Sequence, residues 1–184
     1  VIGGTGLVGT HLLYHLTLEN DVIKAIYRTE ESLEAVKRGF FNYTTDGPSL
    51  FSKIEWILAD ITDVPSLEKA FLDVTFVYHA AALVSFDLKA YRAMRKVNIE
   101  GTANVVNLCI DQKIQKLCFV SSIAAVGESL NLEVINEENE WNGASNNSGY
   151  SITKYGAEME VWRASQEGVD VVIHAAALKQ VPAA

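Results

Sequence analysis

Three glycines in the spacing Gly3-x-x-Gly6-x-x-Gly9 follow an apolar pair, Val1-Ile2, and open a segment whose apolar residues Leu7, Val8, Leu12, Leu13 and Leu16 recur at helical spacing. A second apolar strand follows at 22–27. Strand, glycine turn, helix, strand is a βαβ unit, and two parallel strands joined by a helix need a sheet covered on its faces. The turn also fixes the local chemistry. Amides at a helix N-terminus point outward with the positive end of the helix dipole, so an anion is welcome there. Gly3 and Gly6 permit a tight turn and the close approach of a pyrophosphate, and Gly9 lets helix and strand pack closely.

The rest of the chain repeats the alternation. Residues 30–38 read as a short helix and 39–50, with Gly39, Asn42, Asp46, Gly47 and Pro48, as a polar insertion. Strands are expected at 54–59, 75–79, 116–121 and 169–173, and helices at 64–72, 87–111 and 149–167. The fold class is therefore α/β, a doubly wound parallel sheet of the Rossmann type with right-handed crossovers. Its first strand has only two residues where about five are usual, so it reads as clipped. That strand is central and pairs on both sides, which predicts marginal stability.

Composition excludes several classes. The chain has 184 residues, 49% of them apolar, with mean hydropathy +0.12, which suits one soluble domain. No apolar run reaches the roughly 18 residues of a membrane span, and a net charge of −8 gives no basic field for nucleic acid or anionic lipid. The expected partner is a small molecule, not a nucleic acid or a membrane, and a homodimer is compatible with this reading. Cys109 and Cys118 sit inside apolar segments without metal-ligand spacing and read as buried thiols of a reducing, cytoplasmic compartment.

Six motifs in order resemble a known family. They are the glycine spacing, Asp60 in Ala59-Asp60-Ile61-Thr62-Asp63, His79-Ala80-Ala81-Ala82, Val97-Asn98-Ile99-Glu100-Gly101-Thr102, Val120-Ser121-Ser122, and Tyr150-Ser151-Ile152-Thr153-Lys154. Together they resemble the extended short-chain dehydrogenase/reductase superfamily and, more narrowly, its NAD-dependent epimerase/dehydratase family, from residue 1 to about 173. The resemblance implies that Thr5, Gly6, Leu7 and Val8 contact the pyrophosphate. It implies that Asp60 and the backbone of Ile61 hold the adenine, and that Ala80, Ala81 and Ala82 line the nicotinamide ribose.

The same resemblance implies the chemistry. Tyr150 and Lys154 are four apart, so on a helix they share a face, and an ammonium beside a phenol favours its ionised form. Tyr150 would then act as acid/base. Ser122 would hydrogen-bond the substrate oxygen, Lys154 would also grip the nicotinamide ribose, and Asn98 would anchor a water-linked proton relay. Ser121 competes with Ser122; aligning Val126-Gly127 with the end of the family's Ser-x-x-x-Tyr-Gly pattern selects Ser122, although Val126 departs from it.

Cofactor choice turns on the end of the second strand, Ala25-Ile26-Tyr27-Arg28. A carboxylate there would suit the ribose of NAD, whereas an arginine accommodates the 2′-phosphate of NADP, so Arg28 favours NADP over NAD. His11 and His15 have a ligand-like spacing but lack a third partner, so no metal site is expected. The acidic stretch 133–140 reads as a solvated face, and Trp141 with 142–148 falls where the family forms its substrate mouth.

After residue 173 the resemblance changes. The segment His174-Ala175-Ala176-Ala177-Leu178-Lys179-Gln180-Val181-Pro182 resembles the fourth-strand segment of nucleotide-sugar 4,6-dehydratases, so 174–184 reads as an atypical tail and Lys179 receives no catalytic role. A Rossmann domain over 1–173 without the family's C-terminal substrate domain is the expected organisation. The leading function is an NAD(P)-dependent oxidoreductase of a carbonyl or secondary alcohol, of the dihydroflavonol-reductase and hydroxysteroid-dehydrogenase kind. The alternatives are a nucleotide-sugar epimerase or dehydratase with tightly held NAD, and a noncatalytic dinucleotide-binding protein.

Overall fold

The computed structural model describes residues 1–19, 22–126, 141–143 and 147–175. From the glycine turn, α1 (Leu7–Glu19) leads to β1 (Ile23–Tyr27), then α2 (Glu30–Tyr43), α3 (Gly47–Ser52) and β2 (Ile54–Leu58). There follow α4 (Val64–Phe71), β3 (Phe76–His79), a helical stretch containing α5 (Tyr91–Met94) and α6 (Gly101–Asp111), and β4 (Lys116–Val120). α7 (Gly149–Gln166) and β5 (Asp170–His174) complete the described chain.

All strand pairs are parallel: β1 with β2, β3 with β4, β4 with β5. The Val1–Ile2 segment joins the two groups. Val1 takes a hydrogen bond from Ile26 N–H at 3.1 Å, while Ile2 donates to Tyr78 O and accepts from Ala80 N–H, both at 2.8 Å. The spatial order is β2, β1, Val1–Ile2, β3, β4, β5, so the chain winds outward in both directions from Val1–Ile2. Ligands of such sheets bind in the crevice at the carboxyl ends where the winding reverses. Here that crevice lies between Gly3 and Ala80.

Each face has its own core. Leu13, Ile23, Ala25, Val36, Phe40 and Ile54 bury one face under α1, α2 and α3. Ile2, Ile26, Leu67, Phe71, Val77, Val105, Leu117, Phe119, Ala157 and Val161 bury the other under α4, α6 and α7. Fully buried side chains such as Leu13, Phe40 and Phe119 each contribute roughly 2 kcal/mol of transfer free energy.

Three expectations are corrected. The polar insertion at 39–50 is helical: α2 runs on to Tyr43 because Val36 and Phe40, four apart, bury one face, and α3 starts with Pro48 in its first turn, where a missing N–H costs nothing. The single helix at 87–111 is a 3-10 turn at Leu88–Ala90, α5, a π-helical stretch at Arg95–Glu100, and α6. Strand β5 runs to His174 and not only to Ile173, the His174 carbonyl accepting from Ser121 N–H at 2.9 Å; residues 176–184, Lys179 among them, lie outside the described residues, as do 133–140.

Candidate active site

The glycine turn is held by backbone alone. Gly3 sits at φ +83°, in the left-handed region that glycine enters without strain, and a Cβ there would come within 2.5 Å of Ala81 N and 2.7 Å of the Ala80 carbonyl carbon. A Cβ on Gly9 would lie 2.0 Å from Gly3 O, so Gly9 packs on the turn itself. Gly4, outside the triplet, meets Leu13 in the same way at 2.8 Å. Gly6 differs: its Cβ would meet nothing nearer than Gly3 O at 3.5 Å.

The first intrahelical bond runs from Thr10 N–H to Gly6 O, at 2.8 Å, which leaves the Leu7, Val8 and Gly9 amides as the unpaired donors of the first turn. No acidic side chain stands in that turn to take them. Leu7 and Val8, read from the sequence as pyrophosphate contacts, are 79% and 55% exposed on this lip. A concave backbone, outward amides and an open Gly6 fit a dinucleotide pyrophosphate.

Beside the turn, Asp60 follows β2. Its Oδ1 accepts the N–H and the hydroxyl of Thr62, both at 2.8 Å. Partial burial pushes this carboxyl up, but the two Thr62 bonds and the charges of Arg28 and Lys96 more than compensate and hold it below its ordinary value. Ile61 is buried, with its carbonyl accepting from Asn104 Nδ2 at 2.9 Å. Arg28 stands exposed just past β1, close enough for its charge to act on Asp60.

The opposite wall is built from buried polar groups. Lys154 is 2% exposed; its Nζ donates to Val120 O at 2.9 Å and lies 4.3 Å from the centroid of the Phe119 ring. Burial pulls its ammonium down to about 8, against an opposing pull from the Glu158 carboxylate. The sequence reading aims Lys154 at the nicotinamide ribose, whereas its described contacts are with the end of β4. Ser122 follows that strand and accepts from Ala124 N–H at 3.2 Å, which leaves its O–H proton to be donated elsewhere. Ser121 is only 9% exposed and its hydroxyl donates to Glu158, so of the two competing serines Ser122 is the more accessible. Tyr150, half-buried in the first turn of α7, makes no hydroxyl hydrogen bond among the described residues.

Asn98 is 1% exposed and lies in the π-helical stretch, a local geometry often found at functional sites. Its Oδ1 accepts from Leu83 N–H at 2.7 Å, and its Nδ2 donates to Leu83 O at 2.9 Å and to Thr153 Oγ1 at 3.1 Å. One amide thus ties the extended segment after Ala82 to the turn of α7 that carries Tyr150 and Lys154. His79 is fully buried; its Nε2 meets Thr102 Oγ1 at 2.9 Å, its Nδ1 has no partner, and burial, with a smaller push from Lys154, lowers its imidazole to about 3.

Glu158, Thr153 and the His79–Thr102 pair were not singled out from sequence. Glu158 could have been, since Tyr150, Lys154 and Glu158 recur at four-residue spacing on one helix face. At the periphery, Trp141 stacks on Tyr155 with ring centroids 4.4 Å apart. His11 bonds the Tyr43 hydroxyl at 3.1 Å. Cys109 is buried and Cys118 half-buried, both as free thiols; burial pushes Cys109 up to about 12. Among the described residues no helix is long and apolar enough to cross a membrane.

Comparison with known proteins agrees with this geometry. Residues 1–178 match the male sterility protein family of NAD-binding domains. A putative dihydroflavonol 4-reductase of Synechocystis is 27% identical over 173 residues, 94% of this chain and 46% of that protein. A UDP-N-acetylglucosamine 4,6-dehydratase (inverting) of Campylobacter jejuni is 28% identical over 85% of this chain and 47% of its own length. Among solved structures, a thiolation-reductase di-domain from an archaeal non-ribosomal peptide synthetase superposes with a TM-score of 0.75 at 25% identity, covering 94% of this chain and 49% of that one. The chain thus spans about half the length of these relatives. With its glycine turn, its doubly wound sheet and this match along nearly its whole length, the chain belongs to the male sterility protein family of NAD-binding domains.

Proposed function

We propose that this chain is the cofactor-binding and proton-handling half of an NAD(P)-dependent reductase that interconverts a carbonyl and a secondary alcohol. The observation that carries the proposal is the joint at the end of β4. Lys154 Nζ is bonded to Val120 O, two residues before Ser122, so α7 delivers Tyr150 and Lys154 to the strand end that presents Ser122.

In this reading the Leu7, Val8 and Gly9 amides hold the pyrophosphate, Gly3, Thr5 and Gly6 give it room, and Asp60 and Ile61 face the adenine. Ala80, Ala81 and Ala82 border the nicotinamide ribose. Bound there, the nicotinamide supplies or accepts the hydride. Ser122 donates its free O–H proton to the substrate oxygen and fixes its position. Tyr150 Oη gives a proton to that oxygen in reduction and takes one in oxidation. Lys154 fixes α7 against the end of β4 through Val120 O, and Asn98 keeps α7 in register with the 80–83 backbone. Arg28, exposed beside Asp60, favours NADP over NAD by offering a guanidinium to a 2′-phosphate.

The reductases among the relatives support a net redox outcome. The similarity to a 4,6-dehydratase supports the second reading, in which the same groups act on a nucleotide sugar with the cofactor retained. The reductase reading is tested by following NADPH consumption with a panel of aldehydes and ketones, in the chain and in a form extended by the second half its relatives carry. Tyr150→Phe should leave NADPH affinity within about twofold and lower turnover by about a thousandfold or more. Turnover unchanged in that variant removes Tyr150 from the mechanism. Tightly retained cofactor without net consumption on adding substrate replaces the reductase by the epimerase or dehydratase reading.

A further inference from the structure

The carboxyl end of β4 is held twice by α7. Lys154 Nζ donates to Val120 O at 2.9 Å, and the next residue, Ser121, donates its hydroxyl to Glu158 Oε2 at 2.5 Å. Lys154 and Glu158 stand four residues apart on α7, so the two bonds pin consecutive residues of the strand to consecutive turns of the helix. The Ser121 amide is also committed, donating to His174 O of β5 at 2.9 Å. Ser121 is thus fixed through its backbone to β5 and through its hydroxyl to α7. Ser122 follows directly, at the start of the 3-10 turn Ile123–Ala125, which its own Oγ caps by accepting from Ala124 N–H.

Glu158 also acts beyond its own bond. Its hydrogen bond goes to Ser121 and not to Lys154, yet its charge reaches that ammonium from one helical turn away and opposes the fall that burial imposes. His79 of β3 packs against the same Phe119 ring as Lys154, but burial keeps its imidazole uncharged at neutral pH. Among the described residues Glu158 is therefore the counter-charge of Lys154. A charged donor bonds a carbonyl roughly twice as strongly as a neutral one. A carboxylate at 158 strengthens both ties, its own to Ser121 and that of Lys154 to Val120 O.

We propose that Glu158 is a positioning residue of the candidate site: its carboxylate clamps the Ser121–Ser122 end of β4 onto α7 and supplies the negative charge that keeps the Lys154 tie ionised. The catalytic consequence rests on the proposed reaction, in which Ser122 meets the substrate oxygen; the clamp itself does not. Hydrogen bond and charge are separable by substitution. Glu158→Gln keeps an oxygen for the Ser121 hydroxyl and loses the charge, Ser121→Ala keeps the charge and loses the bond, and Glu158→Ala loses both.

Two readouts on the chain without cofactor test the clamp. The first is hydrogen exchange at the Ala124 amide, whose hydrogen bond goes to Ser122 Oγ. It should quicken about threefold or more in Ser121→Ala and Glu158→Ala and stay unchanged in Glu158→Gln, while the Ile26 amide, in β1, stays unchanged in all three. The second is an NMR titration of isotope-labelled lysine side chains, with the Lys154 signal identified by its loss in Lys154→Met. Its midpoint of about 8 should fall by about 0.5 pH or more in Glu158→Gln. In the form extended by the second half its relatives carry, Ser121→Ala should lower kcat about tenfold and leave KM for NADPH within about twofold. Equal Ala124 exchange in the wild type and Glu158→Ala would overturn the proposal, as would a Lys154 midpoint that Glu158→Gln leaves in place or a kcat that Ser121→Ala leaves unchanged. Both cofactor-free readouts as expected, beside an extended form that consumes no NADPH, would uphold the clamp and reject the proposed reaction.

Discussion

The glycine turn and the wall formed by β4 and α7 face the same crevice but are held in place by different physics. The turn contains no charge and no long side chain; it exists because Gly3 tolerates φ +83° and because Gly9 lets the Gly3 carbonyl approach to a distance that a Cβ would forbid. The opposite wall depends on side chains that dislike being buried. Lys154, His79, Asn98, Thr102 and Thr153 are all buried, and each is tolerated because a carbonyl, an amide or a hydroxyl meets it. Strict sterics hold the first wall, and compensated desolvation holds the second. The first is unforgiving of added atoms, and the second is sensitive to pH.

The largest effect should come from breaking the turn. Gly9→Ala places a methyl against Gly3 O, and relief requires backbone movement, so a loss of about 3 kcal/mol or more is expected in urea unfolding. Gly6→Ala, with no neighbour inside ordinary contact distance, should change stability by less than about 0.5 kcal/mol. Equal effects at the two glycines would mean that the turn is not what positions them.

Next comes the acid response of the opposite wall. His79 lies well below its ordinary value because it is buried, so the unfolded chain takes up its proton first. The stability it contributes is whole above about pH 6.5 and is lost as pH falls toward about 3. Asp60, also held below its ordinary value, adds to the loss only at the acid end of that range. Between pH 6.5 and 4, His79 alone should cost about 3 kcal/mol, and His79→Phe should flatten that limb of the stability profile. A profile that His79→Phe leaves unchanged would place the acid-sensitive group elsewhere.

A smaller effect of opposite sign is expected at Lys154. Its folded value of about 8 lies below the ordinary 10.5, so its burial opposes folding fully below pH 8 and is relieved as pH rises toward 10.5. Lys154→Met should therefore stabilise the chain at pH 7 by about 2 kcal/mol, less than the full desolvation because the bond to Val120 O and the contact with Phe119 are lost. The same variant should also be catalytically silent. Destabilisation would show that those two contacts outweigh the burial.

These differences explain what the sequence made legible. The turn, the alternation of strands and helices, and the order of the motifs could be read directly, because glycine spacing and apolar periodicity are imposed residue by residue. The helix over 39–43 was missed because Gly39 and Asn42 mimic a loop, while one buried residue, Phe40, decides the matter. The ties that assemble the opposite wall were missed for a different reason. Asn98 to Leu83 and Thr153, Ser121 to Glu158, and Lys154 to Val120 O join positions 15 to 55 residues apart, and no local pattern encodes them.

The central claim, that the backbone turn at Gly3–Gly9 is a dinucleotide cradle, is tested most directly by titrating NADPH into the chain and into Gly6→Val while following tryptophan fluorescence. The wild-type chain should bind saturably. Gly6→Val should keep its Tm within about 2 °C yet weaken binding by about thirtyfold or more, roughly 2 kcal/mol, because the added side chain fills the space left for the pyrophosphate. Equal affinity in the two proteins, at equal stability, would contradict the account.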